Sequence, residues 1–448
     1  MTEYVNAEPA KTFFLDMLTR DISLEDSVLD LIDNCIDALA RTRNIDLDES
    51  LLDQKAVNRM TKNLREEGLP VVEITFDETQ FTISDHCGGI EYDSAVNEVF
   101  RFGRVTESGN SRLSVYGIGL KRAIFKIGRV IAIESKTAES GFRVEIDADK
   151  WKREDEWHFP ITKIGSARTE HSAGTVIAVS KLNKEVRQRI GDGIFAGSLI
   201  DAIASAYALF LDRFVIVKVN GRRVPPKAIP LGMSNKVTPA HDTMKSGHVG
   251  ITLLAGLAER VDGGWKTDRA GWYVFCNGRV VVFADRGELT GWGINSPQYV
   301  SKYSGFVGLA FFFADDPAML PWTTTKRGLN RESQPYLLAR NRMGVLAKPV
   351  LGFLSSMYPS GDPEEPEERA IAQGVKAATI SAAISGSGTI FKVLRTLTPS
   401  PASSTTTINY KVKRRDLDIV KKYIDKEWSA SKIGHHTFQY FLERECGK

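Results

Sequence analysis

The chain has 448 residues, longer than a single hydrophobic core usually serves, so two or three domains are expected. Its 42% hydrophobic and 26% charged content is that of an ordinary globular protein, and a formal charge of +3 excludes a partner legible from net charge alone. The most apolar run, 305–314, is about half the ~20 residues a membrane helix needs; with no secretory-signal layout and no CxxC pair among Cys35, Cys87, Cys276 and Cys446, the expectation is a reduced, cytoplasmic protein without structural zinc or contact with a membrane.

The first predicted element is helical, from about 12 to 45, with Ser23 placed to cap a helix that begins at Leu24. Inside it, "DLIDNCIDAL" puts Asp30, Asn34 and Asp37 at i, i+4 and i+7, on one face of an otherwise apolar helix. Buried without partners, each such group costs roughly 2–7 kcal/mol, so this stripe is expected to meet water, a metal or a ligand. Two strands, 71–77 and 81–85, read as a hairpin ending on Asp85, followed by the glycines Gly88 and Gly89. Residues 101–119 have the Gly- and Ser-rich composition of a mobile loop, and a helix starts directly after Gly117 and Gly119. Strand-like segments between 128 and 182 complete a sheet.

Around 186 the pattern changes. A helix over 198–214 leads into a hairpin turning at Asn220-Gly221, and a second hairpin turns at Asn277-Gly278. The organisation expected is therefore 1–185, 186–345 and a helical, linker-rich remainder, 346–448, with Pro- and Ser-rich linkers at 358–368 and 396–407. The last segment, 411–448, is basic, with Leu417, Val420, Ile424 and Trp428 at helical spacing.

Three segments are informative together: the polar stripe at 30–37, "SDHCGGI" at 84–90, and "YGIGLKRA" at 116–123, whose glycines precede a helix N-terminus suited to phosphate. In this order they resemble the GHKL ATPase superfamily, which comprises DNA gyrase B, the ninety-kilodalton heat-shock chaperones, histidine kinases and MutL, with the MORC proteins close by. The resemblance implies an α/β (α+β) chain: a Bergerat-type ATP-binding sandwich over 1–185, a smaller βαβ transducer-like domain over 186–345, and a helical tail. It implies ATP and Mg²⁺ as cofactors, with Asn34 as the metal ligand. Asp85 matches the acceptor of the adenine amino group, and Thr175 the residue that supports it. Asp37, Ala38, Gly88, Gly89, Ile90, Gly117, Ile118, Gly119, Leu120 and Lys121 fall in the nucleotide-binding motifs.

Two catalytic residues follow from the same resemblance. Asp30 stands where the ATPase branch has a Glu that orients the attacking water. The side chain is about one methylene shorter, so either it works as the base or hydrolysis is slow and the protein is chiefly an ATP-gated binder. Lys326, in "LPWTTTKRGLN", is the candidate for the lysine with which relatives reach the γ-phosphate from a second domain. Cys87 departs from the family's DxGxG, which has glycine there. The implied function is a MORC-like, free-standing, ATP-gated clamp that forms a homodimer and acts on DNA or an effector protein. A histidine-kinase-type reading needs a phosphoacceptor His before the site, and residues 1–29 hold none.

Overall fold

The computed structural model describes residues 9–103, 111–115, 117–169, 172–358, 367–395, 408 and 410–447. The chain divides into two compact units, the first spanning Met1–Pro359 and Pro363–Leu394, the second Ser360–Asp362 and Arg395–Lys448. The boundary expected at 185 falls inside the first unit.

That unit opens with α1 (Lys11–Arg20) and α2 (Leu24–Thr42). The Ser23 hydroxyl caps α2, as expected from sequence, by accepting from the Asp26 amide at 3.0 Å, and the break there divides the helical stretch into α1 and α2. Lys11 ties α1 down, its Nζ donating to the carbonyls of Trp151, Glu154 and Glu156 at 3.1, 2.6 and 2.6 Å. After α3 (Gln54–Met60) and α4 (Lys62–Glu67), the first sheet is built from β1 (Val71–Phe76), β2 (Gln80–Asp85), β3 (Gly128–Lys136), β4 (Gly141–Asp147), β5 (Ile161–Ile164), β6 (Gly174–Leu182), β7 (Ile216–Val219) and β8 (Arg222–Arg223). Their order is β5-β4-β3-β6-β2-β1-β7-β8, antiparallel except where β1 meets β7. The hairpin at Asn220-Gly221 therefore completes the first sheet. Both turn residues have positive φ, as a two-residue type I′ turn requires.

Between β2 and β3 lie the single turn α5 (Tyr92–Ser94) and α6 (Gly119–Ile127), which packs along α2 and touches β3 and β6. After α7 (Ala148–Trp151) and α8 (Lys184–Gly191), α9 (Phe195–Ala206) ends eight residues before the helix expected from sequence. Tyr207 follows it, buried, with its hydroxyl turned to the Leu29 carbonyl at 2.6 Å and the Asp33 carboxylate at 2.8 Å.

A second sheet runs β14-β13-β15-β12-β9-β16, from β9 (Leu231–Met233), β12 (Val249–Ala258), β13 (Gly271–Cys276), β14 (Arg279–Asp285), β15 (Phe306–Phe313) and β16 (Lys376–Ala377), with β11 (Ala240–Ser246) also on β12. β10 (Val237–Thr238) pairs separately with β17 (Lys392–Val393). Every residue of β12, β13 and β15 is buried, which is why these strands read as unbroken apolar runs rather than alternating ones. α10 (Gln334–Ser356) covers β12 and β15, and α11 (Glu367–Gln373) and α12 (Ile380–Gly386) follow. Mixed sheets and helices of this kind fit an α+β ATPase fold.

The second unit holds α13 (Arg414–Tyr423) and α14 (Ala430–Glu445). The helical spacing read through Trp428 is interrupted. Trp428 lies in the turn between them, edge-on to His436 at 5.3 Å. Among the described residues no helix is long and apolar enough to cross a membrane.

Candidate functional site

Of the five carboxylates on α2, four, Asp26, Asp30, Asp33 and Asp37, are spaced four, three and four residues apart and so share one face. All four are buried, and each is met by partners from elsewhere in the chain. Arg327 pairs with Asp26. Arg122 donates to Asp30 through Nη2 at 2.5 Å and Nε at 3.2 Å. Asp33 takes Arg279 from β14, Lys326 at 2.6 Å and the Tyr207 hydroxyl at 2.8 Å. Asp37 accepts from the Ser111 hydroxyl at 2.5 Å and from the amides of Arg112, Leu113 and Ser114 at 2.9 Å each. Buried carboxylates left unpaired would be strongly destabilising, so this face fixes the second sheet's loop 322–327 and the segment 111–115 against α2.

The adjoining face of α2 opens on a cavity of roughly 600 Å³. Asn34, Cys35 and Ala38 line it from α2, Asp85 from the end of β2, Thr175 from β6, and Gly119, Leu120 and Lys121 from the first turn of α6. First-turn amides have no intrahelical acceptor, so that end of α6 presents N–H groups and a positive dipole to whatever fills the cavity. Lys121 adds a cation. Its Nζ donates to the Val99 carbonyl at 2.7 Å, and burial lowers its pKa to about 8.

At the other end, Asp85 accepts from the Cys87 amide at 2.8 Å and from the Cys35 thiol at 3.6 Å. Burial pushes its pKa up, and these bonds together with the Thr175 amide oppose the rise. The Thr175 hydroxyl is itself held by Ser135 at 2.8 Å. Burial, and then the charge of Asp85, push the Cys35 and Cys87 thiols well up, so both are inert neutral side chains. Cys87 fits where the motif has glycine because the positive φ values fall on Gly88 and Gly89. Side chains there would meet Thr42 and the Lys136 carbonyl respectively.

The sequence-predicted residues therefore separate into three groups. Asn34, Asp37, Ala38, Asp85, Ile90, Gly117, Gly119, Leu120, Lys121 and Thr175 line the cavity. Gly88, Gly89 and Ile118 are not among its lining residues. Asp30 and Lys326 lie together on the ionic face, Nζ to carboxylate 3.8 Å, with Asp30 behind Gly119. Of the expected loop, residues 104–110 and 116 lie outside the described residues. Sequence reasoning passed over Asp33, Arg122, Arg279, Tyr207 and Ser114. The repeat of acids on α2 was a signal for the first of these, whereas the cations that answer it are scattered from 122 to 327.

Among the described residues no three His, Cys, Asp or Glu side chains gather as a metal cluster. The oxygen that Asn34 presents is a neutral amide, 2.9 Å from the Ser114 hydroxyl. Such a donor set does not hold a free cation, but it fits Mg²⁺ delivered with phosphates that supply most of its ligands.

A helix-mounted amide oxygen, a strand-end carboxylate backed by a threonine, and a glycine-led helix N-terminus thus share one cavity. Residues 22–178 match the family model described as histidine kinase-, DNA gyrase B-, and HSP90-like ATPase. The match, over about a third of the chain, supports the GHKL superfamily and ATP binding by this segment. No curated protein matches the chain.

Proposed function

We propose that this protein binds ATP as its magnesium complex in the cavity beside α2 and reports nucleotide state to the second sheet through the ionic face of the same helix. Asp85 accepts the adenine amino group, with Thr175 fixing its carboxylate. Asn34 faces the metal, while Gly117, the first turn of α6 and Lys121 receive the phosphates. Bound there, Mg²⁺ neutralises phosphate charge and polarises the γ-phosphoryl group. In this reading the first sheet, which takes in β7 and β8 beyond the expected limit of 185, belongs to the ATP-binding domain, and the second sheet with α10 and β16 is the transducer. Closure yields a MORC-like homodimeric clamp on DNA or an effector protein.

The observation that carries the reading is the division of labour on α2, where Asn34 faces the cavity and Asp33, its neighbour, is bonded to Lys326 and Arg279 of the other sheet. Calorimetry with ATP, with and without Mg²⁺, tests it. The expected result is metal-dependent binding that Asn34→Ala abolishes; no heat from folded wild-type protein would sink the proposal.

One observation favours the slow-hydrolysis form. Asp30 is engaged by Arg122 and lies near Lys326, and a base in that position must be released before it can orient water. Phosphate release measured alongside ATP-dependent dimerisation separates a switch from a turning-over ATPase.

A further inference from the structure

The charge of the chain is not evenly spread. Residues 411–448 hold ten of its 59 Lys and Arg and six of its 56 Asp and Glu, which leaves 49 cations against 50 anions in everything before them. The net positive charge therefore resides at this end of the second unit. Lys411, Lys413, Arg414, Arg415, Lys421 and Lys422 cluster on and just before α13; all are exposed except the half-buried Lys421, and among the described residues none of the six is in an ion pair. Lys432, by contrast, lies over the Trp428 ring at 4.1 Å. Four of the six crowd the N-terminal end of α13, where the helix dipole disfavours positive charge, so the clustering is unfavourable unless an anion meets it.

We infer that α13 is a docking face for double-stranded DNA, held through its phosphates. Arg414 and Lys421 form one row along the helix, and Arg415 and Lys422 a second row about 100° round it. A helix with cations along both flanks of one face suits the major groove, about 12 Å wide, whose two walls are phosphate backbones. α13 is about 15 Å long, and that length of duplex carries about nine phosphates, so the charges match in sign and in reach. Asp418, on the midline between the rows, opposes the attraction. The opposite side of the helix decides against an anionic membrane. α13 touches α14, and Leu417, Val420 and Ile424 are half-buried, so the apolar edge that a surface-lying helix would sink into lipid is already engaged. The inference rests on the DNA branch of the reading above and not on the nucleotide cavity, so a failed DNA titration and a failed ATP titration are separate results.

The test titrates the full chain, without nucleotide, into a labelled DNA duplex and follows anisotropy between about 50 and 200 mM salt. Each phosphate neutralised contributes about −0.9 to the slope of log affinity against log salt, so six cations less Asp418 give an expected slope of about −4 to −5. The double variant Arg415→Gln, Lys422→Gln is expected to flatten the slope by about 2 and to weaken binding at least about tenfold at 0.1 M salt. Lys184→Gln with Arg187→Gln, a pair equally exposed on α8, is expected to change neither. Asp418→Asn is expected to tighten binding severalfold, a gain that misfolding does not produce. A wild-type slope shallower than about −2 overturns the inference, as does an Asp418→Asn variant no tighter than wild type or an α8 variant that weakens as much as the α13 one. Tighter binding to a single strand than to the duplex overturns the groove assignment, and phosphatidylserine vesicles that displace the duplex overturn it in favour of a membrane surface.

Discussion

Lys326 Nζ donates to Asp33 across 2.6 Å and lies 3.8 Å from Asp30, so one lysine from the second sheet's loop bridges two carboxylates a helical turn apart on α2. The lysine expected at the γ-phosphate is thus held on the ionic face of the helix, beside the face that lines the cavity. Its transfer to a phosphate would exchange one anion for another, so the cost of leaving Asp33 is largely recovered on arrival. Loss of the triphosphate would return it.

The fully buried centre of this network gives a stability prediction. In Asp33→Asn, Arg279 and Lys326 keep their charges in a site from which water is excluded, and the expected cost is about 3–5 kcal/mol. Tyr207→Phe removes one neutral donor to the same carboxylate and is expected to cost about 1 kcal/mol. Urea unfolding of both variants measures the difference. Equal, small losses would show that the carboxylate does not organise the cluster.

For Asp30 the prediction concerns chemistry rather than folding. Asp30→Asn preserves shape and the hydrogen bond to Arg122 but removes the base, so ATP affinity is expected within about twofold of wild type while phosphate release falls about a hundredfold. Retained turnover would remove Asp30 from the mechanism and return it to a purely structural pairing with Arg122.

Much of the cavity was legible because its determinants are local. The Ser23 cap, the Asn34 stripe, the Asp85 strand end and the Gly117–Gly119 approach to a helix each declare themselves within a few residues, through capping, periodicity and turn chemistry. The ionic face was not, since its partners lie 92, 246 and 293 residues from the acids they meet. No local pattern specifies which cation answers which carboxylate. The same holds for Asn220-Gly221: its turn was readable, but pairing of β7 with β1 is a long-range event that assigned that hairpin to the first sheet. α9 ends with Tyr207 as its C-cap, and the Tyr207 hydroxyl bonds Leu29 and Asp33, acceptors that periodicity does not contain.

Lys121 predicts a pH dependence. Burial lowers its pKa to about 8, so the side chain is cationic below that value and neutral above it. A phosphate bound beside it raises that pKa in the complex. Affinity for ATP should therefore fall as pH rises past about 8, by up to about tenfold per pH unit. Lys121→Arg, which does not deprotonate in this range, should hold a flat profile. Titration calorimetry between pH 7 and 9.5 decides it, and a flat wild-type curve would exclude Lys121 from phosphate binding.

The last prediction addresses how cavity and second sheet are joined. Asn277 is fully buried at the turn between β13 and β14; its Nδ2 donates to the carbonyls of Arg112 at 2.8 Å and Ala314 at 3.0 Å, and its Oδ1 accepts from the Ala314 amide at 3.0 Å. Arg112 sits in the segment that Asp37 clamps, two residues before the hydroxyl that bonds Asn34. One side chain thus connects the cavity's 111–115 wall to the end of β15. Asn277→Gly keeps a residue that tolerates the positive φ of this turn while deleting those three bonds. Such a variant is expected to bind ATP with near wild-type affinity yet lose the nucleotide-dependent protection of amides in 306–313 against hydrogen exchange. Protection that survives the substitution would mean that the signal runs through the other links to the second sheet, the pairing of Asp33 with Lys326 and Arg279 or of Arg112 with Asp315. Protection absent from wild type as well would mean that the second sheet does not sense the nucleotide.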